Sequence, residues 1–285
     1  MGRWRSERAL ERFRATEDAL WRESPGPAAT ATDVDTRFGL TRTYRWAGTG
    51  TPIVLLHGGG TTSVIYAPYA QALSGRDVYS IDIMGDVGRS EPSARMGSAV
   101  DMACWLDETL TGLSIEEAIL VGHSLGGFVA LSTAAHRPAR VSSLVLLDPL
   151  GIAPINMARF MAWGLPVLLG SLAPAALRRS LGRRLRNPLL ENQRASRLIL
   201  QGMVGHAPGY PLFRPLSDDE LSAVSVPVAL LVAAKSEPFD WTVLAARAEA
   251  LLQRPNIEVV EDAGHALAVS HLDVCTASIA RMDAG

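Results

Sequence analysis

The feature that most constrains the fold is a regular alternation of short apolar runs with longer helical stretches, which begins after Pro52. Strands that are buried on both faces have such apolar runs, and helices cross between them when the strands are parallel. The pattern therefore predicts an α/β fold with a mostly parallel central sheet flanked by helices. The predicted strands of this sheet are residues 53–56, 78–83, 118–121, 144–147, 228–233 and 257–260.

The rest of the chain divides around this core. Residues 1–30 are predicted to form an N-terminal helical extension, and residues 34–46 an antiparallel pair that turns near Gly39. About eighty residues follow Asp148 before the next strand, far more than one crossover helix needs. We therefore predict a helical lid at 151–216, inserted after the sixth strand. The core then consists of 31–150 and 217–285.

Composition excludes several classes of protein. Hydrophobic residues make up 48% of the chain and charged residues 20%, which supports one well-buried core. The net charge of -2 gives no electrostatic reason to expect nucleic acid as a partner. The first residues are charged and lack the apolar stretch of a secretory signal, which predicts a cytoplasmic protein. The apolar run 157–172 is interrupted by Arg159 and Pro166, so no stable membrane insertion is expected.

A nucleophile motif follows one of the predicted strands. The sequence Gly122-His-Ser-Leu-Gly126 comes directly after the strand 118–121 and opens a helical run. A serine between glycines on a sharp strand-to-helix turn has its hydroxyl exposed at the end of the sheet. The context therefore predicts that Ser124 is a catalytic nucleophile.

Three consecutive glycines follow an earlier strand, in the sequence Leu55-Leu-His57-Gly-Gly-Gly60. Without side chains, the backbone amides of such a loop can approach a developing oxyanion closely. We assign one oxyanion donor to the N–H of Gly59 and the other to the N–H of Leu125, with Gly58 as the alternative for the first donor. His57 lies in the turn itself and is expected to organise the loop by hydrogen bonding.

A serine needs a positioned imidazole to act as a nucleophile. His265, in Asp262-Ala-Gly-His265, follows the last predicted strand and precedes a helical stretch. This places it at the carboxyl end of the sheet, on the same rim as Ser124. We therefore predict that His265 is the general base.

The carboxylate that orients this imidazole is predicted in the loop after the strand 228–233. Glu237 is our choice, because it gives the chain order serine, acid, histidine. Asp240 is one alternative, although it is also suited to cap the helix that follows. Asp148, which follows the preceding strand, is the second alternative.

No motif points to a cofactor or a metal. The acidic turn from Asp82 to Gly88 lacks the glycine spacing of a nucleotide-binding loop, and its carboxylates are expected to brace the turn. The chain has no Walker lysine and no His-x-x-x-His helix, and its two cysteines are expected to be free thiols. We therefore expect no cofactor and no bound metal.

Together these motifs resemble the α/β-hydrolase superfamily. They are His57-Gly-Gly-Gly60, Asp82-x-x-Gly85-x-x-Gly88-x-Ser90, Gly122-His-Ser-Leu-Gly-Gly127 and Gly264-His265. Within the superfamily the chain looks most like small bacterial carboxylesterases, which share its helical N-terminal extension, hairpin and Asp-Ile-x-Gly-Asp turn. The resemblance implies an α/β-hydrolase fold with Ser124, Glu237 and His265 as the triad. It also places Gly59 and Leu125 in the oxyanion hole. The loop carrying Glu237 usually has aspartate in this family.

These features predict a serine hydrolase that cleaves a carboxylic ester, or a related acyl compound, through an acyl-enzyme on Ser124. Its partner would be a small acyl substrate, and the apolar residues of the lid suggest an apolar one. The alternatives are a non-hydrolytic enzyme of the same fold (an acyltransferase, eliminase or cyclase of a biosynthetic pathway) and a ligand-binding protein without turnover. The lid residues proposed to line the acyl pocket are Met157, Phe160, Met161, Trp163, Leu165, Val167, Leu168 and Leu169.

Overall fold

A computed structural model describes residues 1–170, 173–185, 190, 192–210 and 214–283. Within these ranges, the side chains at 163, 165–170, 175 and 183–185 are outside the description. The main sheet has nine strands in the described chain, of which the short strand Glu91–Pro92 pairs antiparallel with Gly39 and Leu40 and the other eight form a continuous path. These eight are β1 (Thr30–Thr36), β2 (Gly39–Trp46), β3 (Thr49–Leu56), β4 (Arg76–Ile81), β5 (Ala118–His123), β6 (Val141–Leu147), β7 (Val228–Ala233) and β8 (Pro255–Val260).

The strands lie in the order β8-β7-β6-β5-β3-β4-β2-β1. All pairs from β8 to β4 are parallel. The β2 strand pairs antiparallel with both β1 and β4. This arrangement confirms the predicted parallel core and the antiparallel pair that precedes it. All parallel strands run in one direction, so the loops that follow β3, β5, β6, β7 and β8 meet at one edge of the sheet.

Helices cover both faces of the sheet, as the doubly buried strands require. Along β3, Val54 and Leu56 pack into one apolar cluster, while Ile53 and Leu55 pack into the other. The helices on the two faces are α2 (Ala67–Ala72), α3 (Ala99–Gly112), α4 (Leu125–His136), α8 (Asp218–Ser222), α9 (Trp241–Leu251), α10 (Leu267–Ser270) and α11 (Leu272–Asp283). The first cluster includes residues of α3, α4, α8 and α9, and the second includes residues of α2, α10 and α11.

Three further helices lie between β6 and β7: α5 (Met157–Gly170), α6 (Ala175–Leu185) and α7 (Gln193–Gly205). They occupy the stretch that was predicted to be a helical lid, of which 171–172, 186–189, 191 and 211–213 lie outside the described residues. That this stretch acts as a lid stays a prediction. Among the described residues, no helix combines the length and apolar character that crossing a bilayer requires.

The N-terminal extension packs on this inserted stretch. Its helix α1 (Glu7–Glu23) contacts α7, and the short strand Arg3–Trp4 pairs antiparallel with His206–Ala207. Phe13 of α1 and Leu198 of α7 belong to a small apolar cluster that is separate from the two clusters on the faces of the sheet. The extension therefore attaches the inserted stretch to the core, a contact between distant parts of the chain.

Candidate active site

The turn between β5 and α4 has the backbone that a nucleophile elbow needs. Ser124 has φ 51° and ψ −112°, a backbone conformation that residues other than glycine rarely adopt. Its flanking glycines are required by close packing. A Cβ at Gly122 would lie 2.3 Å from the carbonyl oxygen of Gly126, and a Cβ at Gly126 would lie 1.9 Å from that of Leu56. The sequence predicts glycines here because the chain turns sharply. The structure gives a second reason, which is that the end of β3 packs directly against Gly126.

The structure brings Ser124 and His265 together. His265 lies in the loop between β8 and α10, and its Nε2 is 3.0 Å from Ser124 Oγ. Both residues are buried. The rings of Phe160 and Phe239 lie edge-on to the imidazole, with centroids at 5.9 Å and 5.7 Å. The hydroxyl and the imidazole are therefore within hydrogen-bond reach in a largely apolar setting.

The acidic partner of this imidazole is Asp148, so the prediction of Glu237 is wrong. Nδ1 of His265 lies 2.7 Å from Asp148 Oδ2. The Glu237 carboxylate instead accepts a hydrogen bond of 3.0 Å from the backbone N–H of His265. Asp240 is wrong as well, because its side chain caps α9 by accepting from the N–H of Thr242 at 3.0 Å. The second alternative of the sequence analysis thus holds the position.

The reason lies in how neighbouring strands end. Asp148 directly follows β6, which pairs with β5, so its short side chain starts beside the elbow. The β7 loop passes over it, and Ser236 Oγ donates a 2.7 Å hydrogen bond to Asp148 Oδ2. This leaves Glu237 one residue further along, beneath the backbone of Gly264 and His265. A Cβ at Gly264 would lie 3.0 Å from Glu237 Oε1.

Asp148 is held rigidly as a hydrogen-bond acceptor. It is fully buried, its N–H donates to the carbonyl of Leu231, and its Oδ1 accepts from the N–H of Ala233 at 3.3 Å. Its φ of 44° lies in the left-handed region that aspartate tolerates better than most residues. The signal available in the sequence was an aspartate immediately after a buried strand, at the edge where the ligand is expected.

The two predicted oxyanion donors are neighbours. The N–H of Gly126 donates to the carbonyl of His57 at 3.0 Å, which holds the glycine loop against the elbow. A Cβ at Gly59 would lie 3.7 Å from Cδ2 of Leu125. Within the part of the chain that the structure describes, neither the Gly59 nor the Leu125 amide has a hydrogen-bond partner. Gly58, the alternative, instead packs against the imidazole of the histidine that precedes Ser124.

Buried polar groups hold the glycine loop. The N–H of Ile83 donates to His57 Nε2, so Nδ1 of that ring carries the proton and bonds to the carbonyl of Gly58 at 2.9 Å. This is the organising role expected for His57. The N–H of Gly60 donates to the Asp86 carboxylate at 2.9 Å, and burial raises the pKa of Asp86 to about 6.

A second histidine links the elbow to the loop that carries His265. His123 Nε2 lies 2.8 Å from the carbonyl oxygen of His265. Burial, followed by the nearby His265, lowers the pKa of His123 to about 4. The ring is therefore neutral at pH 7, with Nε2 protonated so that it can donate to this carbonyl. His123 positions the loop and does not itself contact Ser124 as a base.

The predicted apolar pocket is only partly described. Phe160 lies beside the imidazole, and its place in an acyl pocket stays a prediction. Met157 and Met161 are instead more than half exposed, at 56% and 58%. The side chains of the remaining predicted lining residues, Trp163, Leu165, Val167, Leu168 and Leu169, lie outside the described residues.

A serine on a strand-to-helix turn, a histidine after the last strand and an acid at a neighbouring strand end define the architecture of the α/β-hydrolase fold. The comparison with known families agrees. Residues 53–277 match the model of the alpha/beta hydrolase family. The match covers well over half of the chain, and the protein belongs to this family.

Two curated relatives come from Bacillus subtilis. The chain is 28% identical to carboxylesterase YbfK over 254 residues, covering 83% of this chain and 81% of the relative. It is 27% identical to the uncharacterized carboxylesterase nap over 261 residues, covering 83% and 80%. Among solved structures, carboxylesterase CesB (YbfK) of B. subtilis gives a TM-score of 0.79 at 24% identity, with 96% and 98% coverage. Naproxen esterase of the same organism gives a TM-score of 0.80 at 24% identity, with 97% and 98% coverage.

Proposed function

We propose that the protein is a serine esterase that cleaves a carboxylic ester of a small molecule through an acyl-enzyme on Ser124. The observation that carries this proposal is the continuous chain of contacts from Ser124 Oγ through His265 to Asp148, with distances of 3.0 Å and 2.7 Å. The relatives named as carboxylesterases support hydrolase activity in general. The catalytic roles of the individual residues are part of the proposal.

In the first step, Ser124 Oγ attacks the ester carbonyl while His265 Nε2 takes the hydroxyl proton. Asp148 accepts from Nδ1–H, which keeps Nε2 free to act as the base and stabilises the imidazolium that forms. The oxygen of the former carbonyl becomes an anion, to which the amides of Gly59 and Leu125 would donate.

In the second step, the bond to the leaving alkoxide breaks and His265 returns its proton to that oxygen. The alcohol departs and the acyl group stays on Ser124. Water then attacks the acyl-enzyme, with His265 taking its proton, and the carboxylic acid is released as Ser124 recovers its hydrogen. No group other than the ester and water is consumed.

The acyl side of the substrate is proposed to be apolar. The rings of Phe160 and Phe239 lie beside His265, so a substrate carbonyl at Ser124 would lie near aromatic rings. Apolar surroundings strengthen hydrogen bonds to the oxyanion because they exclude water. A cytoplasmic location is also part of the proposal.

The test combines covalent labelling with turnover. Intact mass would be measured after exposure to a fluorophosphonate probe, and hydrolysis of p-nitrophenyl butyrate and octanoate would be followed. The wild type is expected to gain one adduct and to hydrolyse the esters, while Ser124→Ala and His265→Ala lose both. Matched controls are Ser132→Ala, whose hydroxyl bonds within its own helix, and His271→Ala, which lies outside the site.

The other outcomes separate the alternative functions. An adduct without ester turnover would replace the proposal with a non-hydrolytic enzyme, to be tested by adding acceptor alcohols or amines. A folded wild type that is not labelled would indicate a ligand-binding protein. Labelling that persists in Ser124→Ala would refute the assignment of the nucleophile.

A further inference from the structure

A segment of the inserted stretch, residues 206–210, is held between the turn that follows β4 and the N-terminal strand. On one side, the N–H of Gly209 donates to the carbonyl of Gly85 at 2.8 Å. A Cβ at Gly85 would lie 3.4 Å from the backbone nitrogen of Tyr210. On the other side, Arg3–Trp4 pairs with His206–Ala207. These contacts fix the backbone from which the Tyr210 side chain projects.

The Tyr210 hydroxyl lies beside Gly59, one of the two residues whose amides are the proposed oxyanion donors. It lies 3.4 Å from the point where a Cβ at Gly59 would stand, and that point is also 3.7 Å from Cδ2 of Leu125. The hydroxyl and the Leu125 side chain therefore lie near the same point beside Gly59. Tyr210 packs against the first apolar cluster, the one that contains Val54 and Leu56. The hydroxyl is therefore the polar tip of a side chain that otherwise makes apolar contacts.

The hydroxyl is also in the right ionisation state to donate. Burial, assisted by the nearby Asp86 carboxylate, raises the pKa of Tyr210 above its ordinary value. The phenol thus keeps its proton throughout the pH range in which an esterase would be assayed. A neutral phenol is a hydrogen-bond donor, and a donor aimed at a developing negative charge favours the transition state over the substrate.

We propose that Tyr210 Oη donates a third hydrogen bond to the oxyanion formed at Ser124, beside the amides of Gly59 and Leu125. This inference rests on the proposed esterase function. It assigns a catalytic group to the inserted stretch, so the oxyanion site would be complete only when residues 206–210 lie against the core. No covalent bond is formed or broken at Tyr210, because the phenol keeps its proton as the tetrahedral intermediate forms and collapses.

The experiment compares Tyr210→Phe with the wild type on p-nitrophenyl butyrate. Removing the hydroxyl keeps the ring, and the expected result is a fall in kcat of about 10-fold or more with KM within about twofold. Affinity for a butyl trifluoromethyl ketone, which forms an oxyanion on the serine, should fall by a similar factor. The matched control is Tyr69→Phe, a buried tyrosine whose hydroxyl donates to the carbonyl of Ala268.

Each outcome bears on the inference. An unchanged kcat in Tyr210→Phe overturns it, and so does a rise in KM alone, which would indicate uniform substrate binding. We expect a lowered melting temperature only in Tyr69→Phe. If Tyr210→Phe also melts at a lower temperature and its kcat falls in proportion, the inference is overturned as well. If the wild type itself neither hydrolyses the ester nor forms the fluorophosphonate adduct, the proposed function fails as well. Normal wild-type turnover with an unaffected Tyr210→Phe isolates the failure to this inference.

A second measurement uses the proximity of Gly59. The Cβ introduced by Gly59→Ala would meet the Tyr210 hydroxyl at 3.4 Å. Residues in direct contact usually have coupled effects, so the loss of kcat caused by Gly59→Ala should differ between the wild type and the Tyr210→Phe background. Equal losses in both backgrounds would show that the hydroxyl does not lie at Gly59.

Discussion

The assignment of the acid can be tested with two isosteric substitutions, Asp148→Asn and Glu237→Gln. Both remove a carboxylate from the surroundings of His265 and keep the size of the side chain. They differ in the atom that loses its partner. Asp148 accepts from the imidazole Nδ1, whereas Glu237 accepts from the backbone N–H. The structure therefore predicts very different effects on catalysis.

An amide at 148 removes the charge that stabilises the imidazolium and no longer dictates which ring nitrogen is protonated. Loss of the corresponding interaction in serine hydrolases costs kcat on the order of 10⁴-fold, or about 5 kcal/mol. At 237, glutamine can still present its carbonyl oxygen to the His265 N–H. Only the charge assistance of one hydrogen bond is lost, about 1 kcal/mol, so kcat should fall by less than about 10-fold.

The assay is the rate of p-nitrophenyl butyrate hydrolysis, normalised to the fraction of protein that a fluorophosphonate labels to completion. Thermal unfolding of each variant provides the control for folding. We expect Asp148→Asn to melt cooperatively and to be at least about 100-fold slower than Glu237→Gln. A large loss in Glu237→Gln together with a small one in Asp148→Asn would refute the reasoning, because the imidazole would then be oriented by the other carboxylate.

Three further predictions concern stability and its dependence on pH. Burial raises the pKa of Asp86 in the folded protein from 3.8 to about 6. Between these pH values the folded state therefore binds more protons than the unfolded state. The contribution of Asp86 to the free energy of unfolding should fall by about 3 kcal/mol as pH rises from about 4 to 6. Asp86→Asn should remove this contribution in urea titrations across that range. Gly126→Ala should cost about 3 kcal/mol or more in the same assay, because its Cβ would stand 1.9 Å from the Leu56 carbonyl oxygen. Trp4→Ala should cost about 2 kcal/mol by removing ring contacts with Phe13 and His206, and should speed proteolysis of the inserted stretch.

Each of these predictions has its own control. A stability difference between Asp86→Asn and the wild type that is constant from pH 4 to 7 would contradict the raised pKa. Gly164→Ala is the control for Gly126→Ala. It lies in α5, and no atom of the described residues comes within 4 Å of its Cβ position, so alanine should stabilise the protein by up to about 1 kcal/mol. Unchanged melting and proteolysis in Trp4→Ala would show that the N-terminal strand does not hold the inserted stretch.

Much of this protein is determined by local patterns in its sequence. Apolar runs separated by helical stretches specify the parallel core, since a strand buried on both faces needs apolar residues along its whole length. A serine between glycines after one such run predicts the elbow at Ser124, and a histidine after the last run predicts the position of His265. These residues lie at strand ends, and parallel strands bring their ends to one edge.

Tertiary structure decided which groups meet at that edge. Asp148 and Glu237 both follow strands that end there, and spacing along the chain does not distinguish them. The choice depends on the β7 loop passing over β6, which puts Ser236 and Asp148 beside the imidazole and Glu237 behind its backbone. Tyr210 reaches Gly59 only because residues 206–210 are fixed between the N-terminal strand and the β4 loop. Apart from that of Glu237 with His265, these contacts join residues more than eighty positions apart. Differences of a few ångströms decide them, so the packed chain alone determines them.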